Sequence, residues 1–310
     1  MAEPIALVAL VIEAAVGWPD RLYRAIGHPV GLFARMIDAG ERRWNARSQR
    51  RRRVAGIALI VLLFATVIAA CWAAERLVGA IIGRWAWPIV ALLAVPGLAQ
   101  RSLDRHVAPI ARALADGDLA SARTLVGRIV GRDVAALDQA GVARAAIESL
   151  AESFCDGVVA PAFWLIVAGL PGIWAYKLLN TADSLIGHRE PRWRAFGWAA
   201  ARADDLANLI PARLAGVLLC LVAGRGWHVM ARDAGSHASP NAGWPEAAMA
   251  GALGLRLAGP IAYDGEIRDK DWIGDGRDIV DAADIARALR LYRRACVGLW
   301  VIAGGVVWVL

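Results

Sequence analysis

Residues 42–74 read RRWNARSQRRRRVAGIALIVLLFATVIAACWAA, and this stretch decides the class of fold. Its first part, residues 42–53, contains seven arginines and no acidic residue. Its second part, residues 54–74, has 21 residues without a charge, which is enough to cross a bilayer as a helix. Because basic residues mark the cytoplasmic end of a membrane helix, the sequence predicts a span at 54–74 that follows a cytoplasmic arginine block.

The composition of the whole chain agrees with a membrane protein. Its 310 residues are 58% hydrophobic and include 14 tryptophans, more apolar than is usual for a soluble domain. The net charge of +7 is concentrated in parts of the chain, which indicates that it sets the orientation in the membrane. No groove-reading motif predicts a nucleic-acid partner. As a secondary effect, the arginine block could also attract nucleic acid or anionic lipid. The four cysteines lie far apart without a CxxC pair, so neither a disulfide frame nor a zinc site is indicated.

Three further apolar stretches continue the pattern. We expect a return span at about 77–99, which makes a helical hairpin with 54–74. A helix that begins near Leu206 and includes 214–224 is expected to cross, and residues 295–310 form a short terminal membrane helix.

Residues 157–176 form another stretch of 20 residues without a charge. A full crossing would place the basic residues of 177–202 outside, against the charge rule. We therefore expect a broken or re-entrant element whose exposed backbone lines a polar cavity. The interrupting residues are Pro161, Gly169, Pro171 and Gly172.

These stretches predict an all-α, polytopic integral membrane protein with about four to five membrane helices. We expect one integral-membrane domain over residues 1–310. Within it, residues 101–156 and 225–294 are expected to be cytoplasmic helical segments, because they carry polar, amphipathic sequence.

Three carboxylates stand four residues apart: Glu148, Glu152 and Asp156. On a helix this spacing places them on one face, where like charges repel unless a cation lies among them. Magnesium suits such oxygen ligands, and Arg144 is the expected local ion-pair partner of Glu148. The alternative is a solvated helix face with one Arg–Glu pair.

A second polar cluster consists of Lys177, Asn180 and Asp183, again on one helix face beside apolar sequence. The alternative for Lys177 is a lysine that extends its amine to the membrane surface. A third cluster follows on the next predicted helix, where an internal Arg–Asp pair is the rival interpretation. Its members are Arg202, Asp204, Asp205 and Asn208.

Isolated features offer weaker candidates. His28 precedes a proline, a position typical of a helix cap or a packed residue as well as of a ligand contact. Arg132 lies beside Arg128 and Asp133 and could bind an anion, although a solvated face explains these residues equally well. Pro245 fits the first turn of an alanine-rich helix, whose free N–H groups would bind a phosphate; ordinary capping is the alternative.

Five blocks of this sequence resemble the adenosylcobinamide-phosphate synthase family, the integral-membrane enzymes of late cobalamin biosynthesis. They are residues 129–133 (IVGRD), 141–161 (GVARAAIESLAESFCDGVVAP), 177–184 (KLLNTADS), 196–205 (FGWAAARADD) and 239–251 (SPNAGWPEAAMAG). The resemblance extends from about His28 to Asp278 and keeps the blocks in the family's order.

The resemblance implies an amide-forming reaction. The propionate carboxylate of adenosylcobyric acid would be joined to (R)-1-aminopropan-2-ol or its O-phosphate, giving adenosylcobinamide or its phosphate. Because amide formation from a free carboxylate is uphill, ATP and Mg²⁺ are the expected cofactors. No Walker A pattern is present, so a P-loop nucleotide site is not expected.

The site residues are assigned to three roles. Glu148, Glu152 and Asp156 are the predicted metal ligands. The predicted catalytic residues are Lys177 and Arg202, which neutralise phosphate charge, and Asp183 or Asp205, which accepts the amine proton. The predicted substrate-binding residues are His28, Arg132, Asn180, Asp204, Asn208, Asn241, Trp244 and Glu246.

The expected location is the inner membrane, with the active site facing the cytoplasm. Expected partners are the corrinoid substrate, aminopropanol or its phosphate, and membrane lipid; other late cobalamin-pathway enzymes and a second copy of this chain are further candidates. The rival function is non-enzymatic, a corrinoid carrier or a membrane scaffold for neighbouring enzymes. Membrane residence favours that rival, because amide chemistry needs no bilayer, whereas the charged clusters favour the enzyme.

Overall fold

In the computed structural model, the described residues are 3–46, 48–131, 133–259, 261–263, 266–268 and 271–309, without the side chains of residues 20, 261–263 and 266–268. This part of the chain is mostly helical, with little strand. The helices are α1 (Ile5–Val16), α2 (Asp20–Ile26), α3 (Pro29–Trp44), α4 (Gln49–Ile82), α5 (Trp87–Ala94), α6 (Gln100–Ala115), α7 (Leu119–Val126), α8 (Gln139–Phe154), α9 (Ala160–Ile186), α10 (Trp198–Ala207), α11 (Leu209–Ala223), α12 (Trp227–Asp233), α13 (Gly243–Leu253) and α14 (Ala282–Val309). The strands are β1 (Leu257–Ala258), β2 (Ile261–Tyr263), β3 (Glu266–Arg268) and β4 (Trp272–Ile273), which pair antiparallel as β1–β4 and β2–β3.

Among the described residues, three helical segments are long and apolar enough to cross a membrane: Gln49–Trp85, Gln139–Ile186 and Ala282–Val309. A fourth is obtained if α10 and α11, which meet at a bend of 45°, form one span. The prediction of an all-α, polytopic membrane protein is confirmed, with three or four candidate spans where four to five were predicted.

The return span expected at 77–99 is wrong. α4 runs for 34 residues, past the predicted end at 74, and stops at Ile82. The chain returns as α5, which has eight residues and rises only about 12 Å, far less than the roughly 30 Å of a bilayer core. Pro88 lies in the first turn of α5 and Pro96 lies in the 3₁₀ turn that follows it, so prolines bound the helix at both ends.

The broken element predicted within 157–176 is present in α9. Ala168 (φ −134°, ψ 17°) and Gly169 (φ 63°, ψ −153°) are not helical, and Gly169 has the positive φ that favours glycine. The Leu170 N–H donates to Oε1 of Glu75 at 3.3 Å. A carboxylate of α4 therefore satisfies a backbone amide at the break in α9.

The chain forms two compact units, each built from separate stretches of sequence. The first unit comprises Met1–Ala99, Ala160–Asn208 and Ala303–Leu310, and the second comprises Gln100–Val159 and Leu209–Ile302. Both segments that were expected to be cytoplasmic, 101–156 and 225–294, belong to the second unit.

In the first unit, α4 packs against α9 and α10, and α3 packs against α9. Phe33 of α3 meets Trp174 of α9 edge to face, with ring centroids 5.9 Å apart. Gly56 of α4 lies directly against the carbonyl oxygen of Phe196, where a Cβ atom would overlap that oxygen. The absence of a side chain at Gly56 therefore sets how closely α4 approaches the loop before α10.

In the second unit, α13 is the central helix and contacts α8, α11 and α12. Nearly all of its residues are buried, and most are alanine or glycine, which allows close approach of the neighbouring helices. Pro245 lies in its first turn, as predicted. The β1–β4 pair, in which Leu257 is opposite Ile273, packs beside α13.

Candidate functional site

A cavity of about 190 Å³ in the second unit contains the strongest group of candidate functional side chains. It is lined by residues 129–131, by Ala145, Glu148, Ser149 and Glu152 of α8, and by His237, Glu246 and Ala258. Asp138 caps α8 by accepting the Gly141 N–H at 2.7 Å. Ser149 donates to the carbonyl of Ile129 at 2.8 Å, which holds the loop beside the helix.

Glu148 and Glu152 reach this cavity from successive turns of α8. Glu148 is half-buried, and its Oε1 accepts the Ala258 N–H at 2.9 Å. Within the described part of the chain, Ala258 is the one non-glycine residue with a positive φ, 58°. Glu152 is exposed. Glu148 thus fixes a strained end of β1 at the cavity, and Glu152 faces solvent.

Glu246 and His237 form the opposite side of the cavity. Glu246 lies in the first turn of α13 and is only 4% exposed. His237 Nε2 is 3.7 Å from Glu246 Oε1, and His237 Nδ1 accepts the Ser239 N–H at 3.0 Å. This acceptor role assigns the proton of a neutral ring to Nε2, on the side of Glu246. His237 was not predicted from the sequence, although its place two residues before the 239–251 block could have indicated it.

Asp156 is not part of the cavity lining. The chain enters a π-helical turn at Cys155–Val159, so Asp156 does not continue the four-residue column of Glu148 and Glu152. No three His, Cys, Asp or Glu side chains among the described residues are arranged to hold a metal ion. Those residues therefore do not form the three-carboxylate centre that the spacing suggested.

The expected ion pair between Arg144 and Glu148 is wrong. Arg144 instead donates to the carbonyl of Asp278 at 2.7 Å, and its guanidinium lies 5.5 Å from the centre of the Trp272 ring. The guanidinium thereby braces the segment after β4 rather than the carboxylate column. Arg132, a predicted substrate-binding residue, lies outside the described residues.

Asn241 and Trp244 do not line the cavity either. Both contact Arg213 of α11: its Nη1 is 3.5 Å from Asn241 Oδ1, and its guanidinium lies 4.7 Å from the centre of the Trp244 ring. Of the residues predicted at 239–246, only Glu246 reaches the cavity.

The first unit contains a separate hydrogen-bonded network. Lys177 Nζ donates to Asn180 at 3.5 Å, and Asn180 donates to Asp204 at 3.4 Å. Asn208 donates to the other oxygen of Asp204 at 3.1 Å and accepts the Tyr176 hydroxyl at 3.0 Å. Asp204 is 8% exposed and Asn208 is 2% exposed. The structure thus connects the predicted residues Lys177, Asn180, Asp204 and Asn208 in one network. Tyr176 also belongs to it and was not predicted, although its position next to Lys177 could have indicated it.

Arg202 and Asp205 form an ion pair of 3.2 Å on α10, with the Arg202 side chain 60% exposed. This is the internal pair that was the rival interpretation of the third cluster. Asp183 lies within electrostatic range of both residues. Arg202, Asp205 and Asp183 therefore form a charged group at the surface of the first unit.

His28 serves as the N-cap of α3, since its Nδ1 accepts the Val30 N–H at 3.2 Å. Its ring packs edge to face on Trp18, with centroids 5.2 Å apart. Burial and, to a smaller extent, the charge of Lys177 lower the pKa of His28. The geometry is that of a packed cap with a neutral ring.

Comparison with known proteins supplies the family. A family model described as "CobD/Cbib protein" matches residues 6–292. Relatives named "Cobalamin biosynthesis protein CobD" are 50% identical in Rhodobacter capsulatus, covering 97% of each chain, and 45% identical in Sinorhizobium fredii, covering 95% of this chain and 94% of the relative. No solved structure matches the chain significantly. With a family model that covers nearly its whole length and relatives this similar, the chain belongs to the CobD/Cbib family.

Proposed function

We propose that this protein acts in cobalamin biosynthesis as an amide-forming synthase. It joins the propionate carboxylate of adenosylcobyric acid to (R)-1-aminopropan-2-ol or its O-phosphate and yields adenosylcobinamide or its phosphate. Family membership and the names of the relatives support the pathway. The observation that carries the chemistry is the cavity of the second unit, which brings together Glu148, Glu152 and Glu246 from two helices.

The proposal includes ATP and Mg²⁺, because a free carboxylate must be activated before it forms an amide. Magnesium is usually held by one or two protein carboxylates and completes its shell with phosphate oxygens and water. Glu148 and Glu152, one turn apart and lining one cavity, fit that pattern without Asp156 and would hold the ion. When bound, magnesium neutralises the charge of the phosphate groups.

Glu246 is proposed to bind the ammonium group of the amine donor. Its carboxylate is 4% exposed and lines the cavity beside His237, and a buried carboxylate is stabilised by a cation placed next to it. A cavity of about 190 Å³ is smaller than the 300–1,000 Å³ of typical drug-sized sites, so it suits aminopropanol rather than a corrin ring. For Lys177, Arg202, Asp183 and Asp205, the roles assigned from the sequence stay predictions.

The proposed location is the inner membrane, with the reaction on the cytoplasmic side. The candidate membrane helices support membrane residence. The seven arginines of residues 42–53 support a cytoplasmic start of α4.

The test uses the purified protein in lipid with adenosylcobyric acid, ATP, Mg²⁺ and either aminopropanol or its phosphate, and follows corrinoid masses. We expect a product heavier than the corrinoid by the amine minus water. Glu152→Gln should lose this product, whereas the matched control Glu190→Gln, an exposed glutamate of the first unit, should keep it. Corrinoid binding without product for either amine would instead favour the carrier or scaffold.

A further inference from the structure

A second cavity, of about 600 Å³, lies where α3 ends and α4 begins, in the first unit. Two kinds of surface line it. Guanidinium and indole groups come from Arg43, Arg50, Arg51 and Trp44, and aliphatic surface comes from Val54 and Ala58. The cavity is therefore basic on one side and apolar on the other, at the start of the uncharged stretch 54–74 of α4.

The six arginines of residues 42–53 that the structure describes divide into two groups. One group has partners within the unit: Asp38 for Arg42 at 2.9 Å, Asn45 for Arg52 at 2.6 Å, and the Trp198 ring for Arg53 at 3.9 Å from its centre. The other group, Arg43, Arg50 and Arg51, has no carboxylate partner among the described residues. All three of these line the cavity, so unneutralised positive charge is concentrated there.

The helix surface beyond the cavity is apolar and exposed. Val54 and Val61 are each 61% exposed, and Leu62 is 55% exposed. In a membrane helix, side chains of this kind contact acyl chains. A molecule seated in the cavity would thus meet positive charge at one end and a lipid-facing helix at the other.

We propose that this cavity binds an anionic phospholipid of the surrounding membrane. Its phosphate lies against Arg43, Arg50 and Arg51, because guanidinium groups bind phosphate oxygens with paired hydrogen bonds. Its acyl chains follow α4 past Val54 and Ala58. Basic clusters next to a membrane helix favour anionic lipids, and an indole such as that of Trp44 is typical of the interface level. The site is independent of the proposed amide chemistry.

The test measures lipid retention by native mass spectrometry of the full chain, released from nanodiscs of phosphatidylcholine mixed with phosphatidylglycerol. We expect the wild-type protein to retain phosphatidylglycerol preferentially. The double variant Arg50→Gln/Arg51→Gln should lower that preference about tenfold or more. The control Arg105→Gln/Arg112→Gln removes the same charge from exposed arginines of α6 that have no ion-pair partner among the described residues, and should change nothing.

A second variant separates the cavity from its charge. Ala58→Phe fills the apolar side and leaves every arginine in place, so it should also reduce retention of phosphatidylglycerol. Equal retention of both lipids by the wild type would overturn the proposal, whatever the variants do. An equal loss of phosphatidylglycerol preference in the α6 control would also overturn it. A further arm adds short duplex DNA to the protein in phosphatidylcholine discs. DNA that binds the wild type and not the Arg50→Gln/Arg51→Gln variant would identify a nucleic-acid site instead of a lipid site.

Discussion

The guanidinium of Arg192 donates two hydrogen bonds, each 2.9 Å long, to the carboxylate of Glu41, which precedes it by 151 residues. The Asn45 amide donates to the same carboxylate at 2.7 Å and to the carbonyl of Arg192 at 3.1 Å. Glu41 is 5% exposed. These bonds fasten the loop between α9 and α10 to the end of α3 within the first unit.

Glu41→Gln should destabilise the protein, because one neutral oxygen replaces a carboxylate that accepts paired hydrogen bonds. The expected loss is about 1–3 kcal/mol, measured as a lower unfolding temperature in detergent. The control is Asp38→Asn, which removes an ion pair with Arg42 whose side chains are 60% and 65% exposed. That change should cost less than about 0.5 kcal/mol. Equal losses of stability in the two variants would show that the hydrogen bonds to Glu41 stabilise the fold no more than the exposed Asp38–Arg42 ion pair does.

The folded protein should lose stability at acid pH, in part because Asp233 becomes protonated. Hydrogen bonds from Arg232, helped by the Gly274 N–H at 2.7 Å, hold the pKa of Asp233 below its ordinary 3.8. Because the folded-state pKa is the lower one, the stabilisation is present above pH 3.8 and is lost as pH falls through the folded-state value. The unfolding temperature of the wild type should therefore fall below that pH more steeply than that of Asp233→Asn.

Hydrogen exchange gives an independent readout of the same carboxylate. At neutral pH, Asp233→Asn should speed exchange of the Gly274 amide, which loses its charged acceptor. Unchanged exchange, together with parallel pH curves, would remove Asp233 as the cause.

Two glycines of α4 should respond oppositely to alanine. At Gly56 a Cβ atom would overlap the Phe196 carbonyl oxygen, whereas at Gly79 nothing lies within 4 Å. Gly56→Ala should lower the unfolding temperature, by the equivalent of about 1–3 kcal/mol for overpacking. Gly79→Ala should be neutral or slightly stabilising, since alanine is the better helix former. A tolerated Gly56→Ala would show that the loop before α10 moves aside easily.

Two variants of Glu148 should distinguish its hydrogen bond to the Ala258 N–H from the effect of its negative charge. Glu148→Gln keeps an oxygen for the Ala258 N–H but removes the negative charge, and Glu148→Ala removes both. If the proposed function holds, the glutamine variant should need about tenfold more Mg²⁺ for half-maximal amide formation, with little change in unfolding temperature. The alanine variant should also lose about 1 kcal/mol of stability. An unchanged Mg²⁺ requirement in the glutamine variant would exclude Glu148 as a ligand.

The parts of the fold that could be predicted depend on patterns local to the chain. Hydrophobic length and the arginine block predict the span within α4, though not its extension to Ile82, and the residues around Gly169 predict the break in α9, because a bilayer leaves the backbone few alternatives. The return span at 77–99 failed for a local reason as well. Apolar composition outweighed Pro88 and Pro96, which limit α5 to eight residues.

Several residues of the candidate site could be predicted from the sequence, but which of them lie together in the fold could not. Helical spacing placed Glu148 and Glu152 together correctly, yet the same rule misplaced Asp156, because a π-helical turn intervenes. Tyr176 and His237 were missed because their partners depend on tertiary packing. The Tyr176 hydroxyl meets Asn208, 32 residues away, which no local pattern reveals.

The bond between Glu75 and the Leu170 amide also bears on how the chain is made. Glu75 lies in α4, just after the uncharged residues 54–74, and the amide that it accepts from is synthesised 95 residues later. Until then the carboxylate lacks this donor, and a carboxylate next to a membrane span is costly unless it is paired. The contact between α4 and the break in α9 therefore forms only after residue 170 has been made, so a chain truncated before residue 170 should leave α4 without it and should be degraded faster than the full chain.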